Sequence, residues 1–179
     1  MTRRTICILL LLTIPLLAFA DFQLGPSVYY NHPLLGEDSS DSDFSISNFT
    51  FGADARLKLL LFQGTALALY TPGESTDEGD IAHTIDLHLT GGVAFDIALL
   101  RLGLGLGPSI LFELGDGADD PASIGTNVRA SAELRLRRVG LAFNYLMKFP
   151  FKLSDASNII NEDKTRGLFG ASVLFSLLP

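Results

Sequence analysis

Six segments of this 179-residue chain alternate apolar and polar side chains with a period of two, and in all six the charges keep to one side. Successive side chains of a strand point to opposite faces, whereas an amphipathic helix repeats about every 3.6 residues, so this spacing predicts strands. The clearest begins at Phe49: Phe51, Ala53, Ala55, Leu57, Leu59 and Leu61 share its face, and Thr50, Asp54, Arg56 and Lys58 share the other. The same alternation runs over 84–97, 100–114, 127–137, 139–151 and 169–177. Two weaker candidates, 22–30 and 65–70, bring the expected strands to eight; the facing of 65–70 is ambiguous.

The apolar faces of the six clear strands hold no charge. The opposite faces carry Asp54, Arg56, Lys58, Asp86, Asp96, Arg101, Glu113, Arg129, Glu133, Arg135, Arg137 and Lys148, with His88 between Asp86 and Thr90. A surface this intolerant of charge points to hydrocarbon, where a lipid-facing Arg or Lys at mid-bilayer costs roughly 2 to 4 kcal/mol. Unpaired edge N–H and C=O groups are equally unwelcome there, so the sheet must close on itself. The expectation is an all-β chain folded as a closed eight-stranded antiparallel up-and-down transmembrane β-barrel. A soluble lipocalin-like barrel would turn the apolar faces inward. The glycines oppose it, because Gly52, Gly92, Gly103, Gly105, Gly107, Gly140 and Gly170 lie on the charged face and only Gly91 opposes them, as a crowded interior would require.

The connections fit. Phe62-Gln-Gly64, Ile97-Ala-Leu99 and Arg137-Arg-Val-Gly140 read as tight turns, alternating with the longer polar segments 31–43, 71–80, 115–123 and 152–166. Short periplasmic turns and long external loops are the habit of outer-membrane barrels. The long segments hold fourteen of the 20 acidic residues and only Lys152, Lys164 and Arg166 as basic ones, so the outside is expected to be strongly acidic.

Residues 1–20 read as a signal peptide: Arg3 and Arg4, an apolar run from Ile6 to Phe19, and a small-residue site at Ala18-Phe-Ala20. Cleavage after Ala20 would leave 21–179 as one barrel domain. Cys7 falls inside the signal, so the exported chain would have no disulfide, no thiol nucleophile and no Cys-ligated metal. Without Arg3 and Arg4 the 13 basic residues fall to 11 against 20 acidic ones, a net charge of −9, which disfavours nucleic acid as a partner. Mean hydropathy is +0.34, yet no apolar run after residue 20 is long enough for a spanning helix.

The lumen-facing charges, five acids and seven bases, are expected to pair across an interior that side chains can fill; a narrow conduit lined by the same residues is the rival. Pro108, inside a strand, marks a bulge or a weakened wall open to lateral exit. His32, His83 and His88 form no recognisable catalytic spacing with a serine, so no enzyme is expected. Asp77-Glu-Gly-Asp80 and Asp116-Gly-Ala-Asp119-Asp120 lack Ca²⁺-loop spacing, and the sequon Asn48-Phe-Thr50 starts a strand; no metal or cofactor is expected.

On signal, strand count, alternation and loop asymmetry, residues 21–179 resemble the small eight-stranded outer-membrane proteins, the loose grouping of OmpX, OmpA-barrel, opacity and OmpW types. A monomer in outer-membrane lipid is expected, with a structural role or with acidic loops that meet a host, matrix or envelope partner at the surface. The OmpW type implies, through Leu111, Leu146 and Pro150 near the external mouth, passage of small hydrophobic molecules; envelope-lipid enzymes are the remaining alternative. The chain departs from the grouping in ending Leu177-Leu-Pro179 where such proteins end in an aromatic residue.

Overall fold

A computed structural model describes residues 20–33, 48–73, 83–114, 122–150 and 166–177. The apolar run 6–19, Cys7, most of the acidic loop segments and Leu178-Pro179 lie outside the described residues. Eight strands follow in chain order: β1 (Ala20–Pro33), β2 (Phe49–Leu59), β3 (Phe62–Thr71), β4 (His83–Ile97), β5 (Leu100–Leu114), β6 (Ala122–Leu136), β7 (Val139–Pro150) and β8 (Arg166–Ser176). Each pairs antiparallel with the next, and β1 pairs with β8 to close the barrel. At 10 to 15 residues apiece the strands are long enough to cross a bilayer at a tilt.

The facing follows the alternation. Phe51, Leu89, Phe95, Leu104, Leu106, Phe143 and Phe169 are exposed on the outer wall, while Asp54, Arg56, Arg129 and Glu133 are buried inside. That is the inverse of a water-soluble barrel, and it rejects the lipocalin-like arrangement. β3, ambiguous in sequence, is fixed by register. Directly opposed residues share a face, and Leu67 stands opposite both Asp54 and His88, so Gln63, Thr65, Leu67 and Leu69 point inward.

Three two-residue turns close one end of the barrel, here the turn end: Leu60-Leu61, Ala98-Leu99 and Arg137-Arg138. The first residue of each is left-handed, at φ 57°, 54° and 59° for Leu60, Ala98 and Arg137. This corrects two sequence expectations. The chain reverses at Leu60, so β2 stops at Leu59 and Phe62-Gln-Gly64 belongs to β3 rather than to a turn. Arg137 was expected in the lumen, but the reversal at that residue puts it in an exposed turn.

Pro108 makes no bulge. The β4–β5 register reads His88↔Ser109 on one side and Gly91↔Leu106 on the other, with the same offset, so no residue is inserted and the ladder is merely interrupted between them.

Candidate functional site

The polar interior builds up in three layers. At its centre Asp54, wholly buried on β2, accepts hydrogen bonds from Arg56 Nη2 at 2.8 Å and Nε at 3.2 Å, from Arg129 Nη1 at 3.1 Å, and from Ser172 Oγ at 2.9 Å. Arg129 Nη2 closes a second bond to the same carboxylate. Asn144 Oδ1 accepts from Arg56 at 2.8 Å and from Arg129 at 3.0 Å, and its amide donates to Ser172 Oγ at 3.0 Å. Glu133, also fully buried, accepts from Gln23 Nε2 at 2.8 Å and lies 3.5 Å from Arg56 Nη1. Two carboxylates thus face two guanidiniums, with Gln23, Asn144 and Ser172 adding neutral hydrogen bonds, and Arg101 Nη1, 4.0 Å from Glu133, links this cluster to the next layer.

The second layer sits at the turn end. Asp96 accepts from Lys58 at 2.5 Å and Arg101 Nε at 2.7 Å, with Arg135 at 3.7 Å. Asp21 accepts from Arg101 at 2.8 Å, from Ser176 Oγ at 2.6 Å, and pairs with Arg135 at 3.2 Å. Since Asp21 lies on β1 and Ser176 on β8, this layer ties the closing seam.

Toward the loop end Lys148 pairs with Asp86. His88 is buried beside them in register opposite Ser109, and neither ring nitrogen has a hydrogen-bond partner among the described residues. An apolar plug of Tyr29, Leu67, Leu69, Leu146 and Leu168 packs beside the central cluster, Leu67 in register with Asp54 and Leu146 with Arg129. Leu146, expected near an open mouth, is instead wholly buried in this plug. Leu111 is half-buried. The side chain of Pro150 lies outside the described residues, as does that of His32. Glu113 is half-buried near the loop end of β5.

The structure therefore gathers Asp54, Arg56, Arg129 and Glu133 in one cluster, Lys58, Asp96, Arg101 and Arg135 in a second, and Asp86 with Lys148 in a pair. Glu113 and Arg137 join none of them through an ion pair among the described residues. Sequence reasoning looked only for charges and so missed the neutral partners Gln23, Asn127, Asn144 and Ser172, and Asp21 at the start of a weak strand. The available signal was their position on the charged side of each alternation.

Asn127 has a task of its own. Pro108 offers no N–H, so the β4–β5 ladder is broken around it. Asn127 Nδ2, fully buried, reaches across from β6 to the carbonyls of Pro108 at 2.8 Å, Gly107 at 3.0 Å and Leu89 at 3.5 Å, while Thr90 Oγ1 donates to Asn127 Oδ1 at 2.9 Å. The same five-residue word, Leu-Gly-Pro-Ser followed by Val or Ile, recurs at 24–28 and 106–110. At its first copy the β1–β8 ladder is interrupted between Leu24↔Phe175 and Ser27↔Ser172. In both copies the glycine lets the neighbouring strand approach: a Cβ on Gly25 would stand 1.7 Å from Val173 O, and one on Gly107 2.0 Å from Leu89 O. The two breaks lie four strands apart, on opposite sides of the barrel.

Replacing Asn127 by leucine removes the side-chain donor from those carbonyls. With burial costs of about 1 to 3 kcal/mol per unsatisfied group, the expected result is faster amide hydrogen exchange around 88–91 and 107–109 than in the unmodified barrel, with the β6–β7 amides little changed.

No protein-family model and no curated protein matches the chain. Solved structures do. Neisserial surface protein A, NspA, superposes with a TM-score of 0.58 at 14% identity, covering 88% of this chain and 97% of that one. Ail, the attachment invasion locus protein of Yersinia pestis, gives 0.51 at 12% identity over 87% of this chain and 97% of Ail. Ail in complex with the heparin analogue sucrose octasulfate gives 0.53 at 11% identity, with the same coverages. This chain has the fold of the small eight-stranded outer-membrane β-barrels.

Proposed function

We propose that the barrel is a sealed outer-membrane scaffold that holds acidic loops at the cell surface, acting through those loops and not as a conduit. The supporting observation is the closed lumen. A conducting pore wets its lining, yet Asp54, Glu133, Asn127 and Leu146 are each wholly buried. A cavity of about 10 Å³ lined by Gln63, Thr65, Arg129 and Ser131 has room for about one water molecule and none for a solute path. In planar bilayers the purified barrel is expected to give no ion-selective current steps. Reproducible steps whose selectivity changes on replacing Arg129 or Lys148 would overturn the reading and restore the narrow conduit.

Export through residues 1–20, with cleavage after Ala20, belongs to the same proposal, and amino-terminal sequencing of the outer-membrane form tests it. The surface partner is read from charge. Fourteen acidic residues against three basic ones in the long segments favour a cationic or neutral partner of the host or envelope. A sulfated polyanion, the class of ligand seen with Ail, would meet like charge here. The barrel is taken to be a monomer in lipid, without cofactor, metal or catalytic role.

A further inference from the structure

The turn end is lopsided. On the β2–β5 side the turns are leucine-bearing: Leu60, Leu61 and Leu99 are 61%, 53% and 59% exposed, and they run into exposed Phe62, Ile97 and Leu100. Backbone hydrogen bonds fix both turns, Ala94 N donating to Leu61 O at 2.8 Å and Arg135 N to Leu99 O at 2.7 Å. The nearby charges Lys58, Asp96 and Arg101 are drawn into the lumen by their own pairs. The turn across the barrel is Arg137-Arg138, both exposed and without an ion pair among the described residues.

Water-facing hairpin turns favour Gly, Asn and Asp, above all where φ is positive, because those residues tolerate the left-handed region and hydrogen-bond with solvent. Leu60 stands at φ 57°, where a bulky side chain is strained. Its placement gains nothing in water, but it extends the lipid-facing wall without a break through Phe62 and Phe95. A basic pair, in turn, suits anionic phosphate.

We infer that the turn end is seated within the inner leaflet of the membrane, the Leu60-Leu61 and Ala98-Leu99 turns touching glycerophospholipid acyl chains and Arg137-Arg138 lying at the phosphate plane. This rests on the outer-membrane reading above, and the experiment separates the two. The chain has no tryptophan, so single substitutions report cleanly. Leu61→Trp, Leu99→Trp, Arg138→Trp and, as a mid-wall reference, Phe143→Trp are placed in barrels reconstituted into phosphatidylethanolamine–phosphatidylglycerol vesicles, with quenching by lipid brominated at mid-chain or by aqueous iodide.

The indoles at 61 and 99 are expected to behave like the one at 143, losing most of their emission to brominated lipid and almost none to iodide, while that at 138 does the reverse. Iodide quenching at 61 and 99 places the rim in water and overturns the inference. Shielding from both quenchers means that a second copy covers the rim, and overturns it too. Failure of brominated lipid to quench at 143 defeats the membrane reading itself. Leu60→Asn gives a readout free of tryptophan: relief of backbone strain alone would raise the urea midpoint of unfolding from vesicles, whereas loss of an acyl contact lowers it, the expected result.

Discussion

Replacing Asp54 by alanine is expected to lower the stability of the reconstituted barrel by about 3 to 5 kcal/mol, the usual penalty for removing one partner of a buried ion pair. Arg56 and Arg129 both bond this carboxylate and both also reach Asn144 Oδ1, so without Asp54 two guanidiniums confront each other across one amide oxygen. Glu133, 3.5 Å from Arg56, offsets only one of the two charges. Urea titration in vesicles measures the loss. A second substitution separates charge from shape. In Asp54→Ala with Arg129→Met the surplus cation is gone, and stability should recover part of the way. If Asp54→Ala alone is within about 0.5 kcal/mol of the unmodified barrel, the range of an inconsequential surface change, the central cluster is not what holds the lumen shut.

The second large effect is on the other face of the wall. Phe143 on β7 is 69% exposed, flanked in register by Ala132 and Ala171 on the neighbouring strands. In water, exchanging so exposed a phenylalanine for arginine would be nearly neutral or would aid solubility. Facing hydrocarbon near mid-span, Phe143→Arg should cost about 2 to 4 kcal/mol, with a matching fall in the folded fraction recovered in membranes. The contrast is one of sign as well as size, and Phe143→Leu serves as the tolerated control. An arginine variant as stable as the parent would mean that this surface does not meet lipid.

Much of this was legible in the chain. Strands β4 to β8 follow from a strict alternation in which no charge strays to the apolar side, and closure follows from the physics of unpaired edges in hydrocarbon. β3 was illegible because Ala66, Leu67, Ala68 and Leu69 are all apolar, and only register against Asp54 and His88 decides that the leucines go in. The Leu60-Leu61 turn was hidden for a related reason: turn composition is usually polar, and here it continues the apolar run of β2. Pro108 announced a disturbance, but what it leaves, an interrupted ladder with Asn127 bonded to the carbonyls around it, depends on the side chain that the neighbouring strand β6 presents there. The lumen charges could be named from sequence. Their partners could not, since tilt and stagger of the strands decide which layer each side chain joins. Thus Asp21 and Ser176, at opposite ends of the barrel sequence, meet at 2.6 Å.

Electrophoretic mobility in SDS, with and without boiling, of the protein recovered from the outer-membrane fraction tests most directly whether this chain forms a closed barrel in that membrane. A closed barrel held by eight paired seams and a balanced internal charge cluster should resist cold SDS and run at a different position from the boiled chain. Recovery in a soluble fraction, with one mobility whatever the heating, would contradict the account and turn the apolar faces back toward an interior.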